Sequence, residues 1–164
     1  MAAGALLSLG ALLLVIFAAM VATAVRSADG EADVAQAVCL TGGILAAVGL
    51  LIFAGLSLAA GEVADGVDGG ALQAVHVLNQ ELFFPLTIGT AAFLLGAGTA
   101  VVRTAVLPTW LGWAAVVLGI AGAIPSHIFG GVFDHIGFVA FIAMNVWILV
   151  VSVLLAVRWR SSGA

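Results

Sequence analysis

The sequence predicts an all-α bundle of five transmembrane helices, with the N-terminus outside and the C-terminus inside. Three observations carry that expectation. The chain is 65% hydrophobic and 7% charged, with a mean hydropathy of +1.35. A water-soluble domain carries roughly 25% charged residues, so this chain cannot clothe a water-facing surface and its solvent is lipid. Its uncharged runs are long enough to cross about 30 Å of hydrocarbon at about 1.5 Å per residue. Threaded alternately through a bilayer, five such runs leave all four arginines on one side.

The 164 residues allow one domain. Eight acidic residues against four arginines, with no lysine, give a net charge of −4. That is too little positive charge for an electrostatic footprint on nucleic acid, so no such partner is expected. The single Cys39 cannot form an internal disulfide and reads as a small apolar side chain. Abundant Ala, Gly and Val without Lys or Tyr point to a GC-rich bacterial genome and a bacterial cytoplasmic membrane.

The first span is expected at about residues 4–25. Ala22-Thr23-Ala24 resembles a signal-peptide cleavage site, but no Lys or Arg precedes the apolar run as such a signal requires. Arg26 follows the run instead, which favours an uncleaved helix whose C-terminal end lies inside. A polar turn over 26–33 leads to the second span at about 36–61. Gly42-Gly43, Gly49 and Gly55 lie within it, where small residues let helices approach closely.

The segment 62–70, EVADGVDGG, is acidic and glycine-rich. After it Gln73, His76 and Gln80 share one helical face. The pattern predicts a helix that starts near residue 71, capped near Asp68, and runs into the third span at about 82–102, with a kink at Pro85. Ala92, Gly96 and Ala100, spaced four apart, form a small-residue seam there. A tight turn follows over 103–107. Pro108 suits the first turn of the fourth span, about 108–124, because its missing N–H costs nothing there. Ala115, Gly119 and Ala123 make a second seam, and sequence leaves open whether the two seams pack internally or associate two copies. A loop over 126–137 then carries two histidines, and the fifth span covers about 137–158. Trp110 and Trp159 fall at the inner boundary, where indole rings favour the headgroup level. Trp147 falls mid-span and reads as packing.

Two pieces, Leu78-Asn-Gln-Glu-Leu-Phe-Phe-Pro85 and Leu107-Pro-Thr-Trp-Leu-Gly-Trp113, together resemble an uncharacterised family of multi-pass membrane proteins common in actinobacteria. The resemblance covers about the last half of the chain. It implies a cytoplasmic Pro-Trp turn and no known chemistry. A weaker likeness is to tryptophan-rich sensory proteins, which also have five spans. Glu81 stands here where that family has a Trp, and its Trp- and Pro-rich first loop is absent.

Candidate chemistry is sparse. His76, His127 and His135, with Asp134, are all sent to the outer face by the predicted threading. Imidazoles with one carboxylate are ligands that a divalent metal such as zinc uses. The plainer reading makes them interfacial residues, with Asp134 capping the fifth helix. No other cofactor is expected. Glu81 opens an apolar span, where a carboxylate either reaches the interface or lines an outward cavity as a proton or cation site. Asn145, mid-span, either seeks a partner across a helix interface or lines a cavity. There is no Gly-x-Ser-x-Gly elbow, phosphate-binding Gly-rich loop with Lys, Cys-x-x-Cys or His-Glu-x-x-His. The leading expectation is therefore a non-catalytic bundle that binds lipid, an apolar ligand, a membrane-protein partner or a second copy of itself. The alternatives are a small-solute or ion transporter using Glu81 and the outer histidines, and a membrane enzyme with a metal at its outer face.

Overall fold

The computed structural model describes residues 2–29, 34–63, 69–81, 83–123 and 132–162. Outside the turn 105–108, every described residue is helical. The helices are α1 (Ala2–Asp29), α2 (Val34–Val63), α3 (Gly69–Glu81), α4 (Phe83–Thr104), α5 (Thr109–Ala123) and α6 (Val132–Ser162). The fold is an all-α bundle. Four helices are long and apolar enough to cross a membrane, through Gly4–Ser27, Val34–Gly61, Leu86–Thr104 and Phe141–Arg158. The fifth apolar helix, Thr109–Ala123, is shorter and rises about 22 Å.

The outer surface identifies the solvent. Leu6, Leu9, Leu12, Leu13 and Ile16 of α1 and Ile142, Val146, Leu149 and Val153 of α6 are all exposed, while no polar or charged side chain is buried among the described residues. A helix apolar on its outer face as well as its inner one is surrounded by lipid. The hydroxyls follow the same rule. Ser8, Thr23, Ser27, Thr99 and Thr104 each donate to the carbonyl four residues back in their own helix, at 2.7–3.0 Å. The chain is a membrane protein.

Glycine sets the spacing at the centre. A Cβ on Gly42 of α2 would collide with the backbone nitrogen of Phe93 in α4, and one on Gly96 of α4 with the backbone nitrogen of Cys39 in α2. These helices therefore touch backbone to backbone, with Cys39 sealed between them at 1% exposure. Next to Gly42, Gly43 meets Ala18 of α1, so one glycine pair seats α2 against two neighbours. Gly55 meets nothing within 4 Å and takes no part in packing. Both predicted seams pack internally. Gly96 and Ala100 are buried, as are Ala115 and Gly119, the last against Leu95 and Ala91 of α4.

The same pairings fix direction. Gly4 lies by Leu58 and Gly43 by Ala18, so α1 and α2 are antiparallel. Gly49 lies by Leu86 and Gly96 by Cys39, so α2 and α4 are antiparallel. Gly112 lies by Gly98 and Gly119 by Ala91, so α5 folds back along α4. Trp147 reaches Leu111, while Leu154 and Arg158 share a depression with Pro108 and Thr109, so α6 returns along α5. The C-terminal ends of α1, α4 and α6 thus share one end of the bundle, and they carry Arg26, Arg103, Arg158 and Arg160.

The helix expected from residue 71 through the third span is described over Gly69–Glu81 and Phe83–Thr104, and residue 82 between them lies outside the described residues. Three expectations are corrected. Arg26 lies in the last turn of α1 rather than in a polar turn. The loop expected over 126–137 ends sooner, since α6 starts at Val132 and holds Asp134 and His135 in its first turn. Asp134 therefore lies inside the helix rather than capping it, although a carboxylate in a first turn still favours the helix dipole. Residues 64–68, with the expected cap Asp68, lie outside the described residues.

The turn after α4 matches its prediction. Ala105 adopts φ 49°, and its N–H donates to the Val101 carbonyl at 3.0 Å, a left-handed cap that a glycine usually fills. Pro108 sits just before α5 and accepts from the Leu111 N–H at 2.9 Å.

Two stability outcomes are expected in detergent unfolding. Gly96→Leu should destabilise by about 3 kcal/mol, the upper range for overpacking, while Gly55→Leu leaves the midpoint unchanged. Equal effects would refute the close α2–α4 contact. Ala105→Gly should stabilise by about 0.5–1 kcal/mol, because relief of left-handed strain exceeds the added unfolded-state entropy. A lowered midpoint would count against that cap.

Candidate functional site

An aromatic cluster and a groove beside it form the candidate site. Phe17 of α1, Phe93 of α4 and Trp147 of α6 meet at one level, with ring centroids 6.0–6.2 Å apart; Trp147 stands edge-on to both phenylalanines. Such edge-to-face pairs set the positive rim of one ring against the negative face of another. The indole Nε1–H donates to the Leu111 carbonyl of α5 at 2.9 Å, and the side chain is 4% exposed. Trp147 is packing, as its mid-span position predicts, and it ties α6 to three helices at once. Met144, Val151 and Leu155 extend that buried face of α6.

The motif at 107–113 serves the same junction. Leu107, Leu111 and Gly112 are buried, and Gly112 approaches Gly98 and Val102 of α4. Trp110 and Trp113 are 64% and 58% exposed, near the arginine-bearing end. Leu107, Leu111 and Gly112 of the motif therefore serve packing.

On the other flank of Trp147, α1 and α6 stand apart. Between them runs a cavity of about 630 Å³, floored by Leu50 and Phe53 of α2 and Leu86 and Thr90 of α4. Its walls are Leu6, Leu7, Gly10, Leu13, Leu14, Ile16, Phe17 and Met20 of α1 and Phe141, Met144, Asn145, Ile148, Leu149 and Ser152 of α6. Only Thr90, Asn145 and Ser152 are polar among these lining residues, and none is ionisable. A volume of this size lies within the range of small-molecule sites, and so does an apolar wall with a few fixed polar groups.

Asn145 is exposed on the cavity wall, and its Nδ2–H donates to the Phe141 carbonyl of its own helix at 2.8 Å. Of the two placements expected for Asn145, a bond across a helix interface or a cavity-lining position, the amide bonds within α6 and lies on the cavity wall. Glu81 is the last residue of α3, at the end of the bundle away from the arginines. His76, on the same helix, is exposed. Asp134 and His135 open α6 at that same end, because α5 leads away from the arginines and α6 leads back. The topology thus gathers His76, Glu81, Asp134 and His135 at one end. His127 lies outside the described residues, as do the side chains of Glu81, Asp134 and His135. Among the described residues, no group of three metal-binding side chains occurs.

The groove was not predicted. Its one sequence signal is Asn145, an amide in an apolar run with no polar neighbour a turn away on either side. The chain matches no family model, no curated protein and no solved structure.

If Trp147 secures α6, Trp147→Phe should lower stability by about 1–2 kcal/mol through the lost hydrogen bond and edge contact. Trp113→Phe, on the exposed side, should change it by less than about 0.5 kcal/mol. Thermal unfolding in one detergent compares them, and equal shifts would contradict the role given to Trp147.

Proposed function

We propose that this chain is a multi-pass protein of a bacterial cytoplasmic membrane that binds an elongated apolar ligand, such as a lipid chain, in the groove between α1 and α6. The groove itself carries the reading. Its α1 wall runs from Leu6 to Met20, about 21 Å by helical rise, or two-thirds of a hydrocarbon core about 30 Å thick. A chain lying along the bundle would cover Leu, Ile, Phe and Met side chains over that length. The lack of ionisable groups among the lining residues favours binding over turnover.

Five crossings, with α5 as the short one, put the arginine end in the cytoplasm by the positive-inside rule. The exposed Trp110 then sits at the inner headgroup level. The Leu-Pro-x-Trp-Leu-Gly-Trp turn fits the actinobacterial multi-pass family that the sequence resembles.

Gly10 offers a direct test, because it lines the groove and a Cβ there meets nothing within 4 Å. Protein purified in mild detergent would be extracted and its retained apolar molecules measured by mass spectrometry. Gly10→Phe should retain about ten-fold less of whatever the native chain holds, equivalent to about 1.4 kcal/mol of lost apolar contact. Gly55→Phe, which projects outside the groove, should retain the native amount. Equal retention in both variants would overturn the reading.

A further inference from the structure

We infer that a second copy of this chain docks along one exposed seam of α6 and pairs the two Asn145 amides across a two-fold axis. The inference goes beyond the ligand reading and does not depend on it, although the seam shares Asn145, Leu149 and Ser152 with the groove wall.

The seam is Ile142, Asn145, Leu149, Ser152 and Ala156, spaced three, four, three and four residues apart. That alternation is the a/d pattern of left-handed helix pairs, in which two helices cross at about 20°. These residues lie away from the buried face of Met144, Trp147, Val151 and Leu155. Ile142 is 48% and Leu149 67% exposed, and Asn145 and Ala156 are exposed as well. Asn145, Leu149 and the half-buried Ser152 also border the groove, and Ile142 and Ala156 lie outside its lining.

Asn145 supplies the reason for a partner, and its chemistry names which one. Level with it are Phe17 and Phe93, through their contact with Trp147 two residues on, which places the amide deep in the apolar layer. A side-chain amide has two N–H donors and an acceptor oxygen. One donor is used on the Phe141 carbonyl. The second donor and the oxygen are left over at the apolar groove wall of a single copy, where an unmet polar group is costly. A phospholipid keeps its own polar groups at the headgroups and cannot serve them at that depth. Another Asn145 can. Two copies inserted by the same rule hold this residue at the same depth, and an amide is its own complement, giving through its N–H and receiving through its oxygen. A two-fold axis along the membrane normal makes both bonds at once. Ser152, one heptad further, brings a hydroxyl to the equivalent position.

Disulfide trapping in the native membrane tests the pairing, using the full chain with Cys39→Ala. Single cysteines at Ile142→Cys, Leu149→Cys and Ala156→Cys should form a covalent dimer under mild oxidation. Val146→Cys and Val157→Cys, exposed but turned some 80–100° off the seam by helical geometry, should not. Adding Asn145→Leu to Leu149→Cys should weaken dimerisation about ten-fold, the scale of one or two interhelical hydrogen bonds. All five single positions are exposed, and unfolding curves check that each variant keeps the native bundle. The inference fails if no seam cysteine yields a dimer, or if seam and off-seam positions trap equally. It fails also if the product is a conjugate with another protein, or if Asn145→Leu changes nothing.

Discussion

The indole of Trp147 holds the two halves of this bundle together. Helices α2, α4 and α5 are joined by glycines that bring backbones into contact, and such contacts need no large side chain. Helix α6 has no comparable glycine contact with α1 or α4 among the described residues. It is held instead by a buried face centred on one wide ring that reaches Phe17, Phe93 and the Leu111 carbonyl together. The ring is also a spacer. A side chain this broad keeps α6 away from α1, and the groove is the space left over on one flank. Phe17 belongs both to the cluster and to the groove wall. The interaction that attaches α6 therefore also creates the cavity beside it.

This division matters in lipid, where burying apolar surface between helices gains little because the tails outside are equally apolar. Association must come from close packing and from hydrogen bonds. The α2–α4 contact uses the first means, with Gly42 and Gly96 each set against the opposing backbone. The Trp147–Leu111 bond uses the second. A groove walled by long flexible side chains such as Leu13, Met20 and Met144 can reshape around an occupant while the glycine-joined helices stay fixed.

Much of the architecture was legible in the sequence, for reasons that do not extend to the site. Charge-free runs locate spans directly, because a charge inside the bilayer is expensive, and the arginines gather at one end as threading required. Trp147 was readable as packing because an indole far from the headgroups has no interfacial role. Helix ends were less legible. Val132 starts α6 before the fifth span expected at about 137, and polarity cannot mark where a helix leaves lipid and continues in water. The groove was hidden for a deeper reason. In a soluble helix the apolar face points inward; in lipid both faces are apolar, so periodicity no longer separates Leu13 on the groove from Leu12 beside it. Only Asn145 stood out, as either an interhelical partner or a cavity-lining group; its amide bonds a carbonyl in its own helix and borders the groove.

That last point separates Asn145 from the hydroxyls around it. Ser8, Thr23, Ser27, Thr99 and Thr104 each have one hydrogen to donate, and a carbonyl four residues back takes it. A hydroxyl so placed has spent its only donor, and what remains is a weakly demanding oxygen. An amide in the same geometry has spent half of its donors and none of its acceptor. The bond to Phe141 lowers the cost of Asn145 in hydrocarbon without cancelling it, and nothing in α6 itself can finish the task, since the helix's own N–H groups are already engaged. A helix can thus absorb a hydroxyl silently, whereas an amide on its outer wall stays a directional feature that apolar neighbours cannot mask. Its position where the groove meets the outer seam makes that wall of α6 the chemically distinctive surface of an otherwise uniform protein.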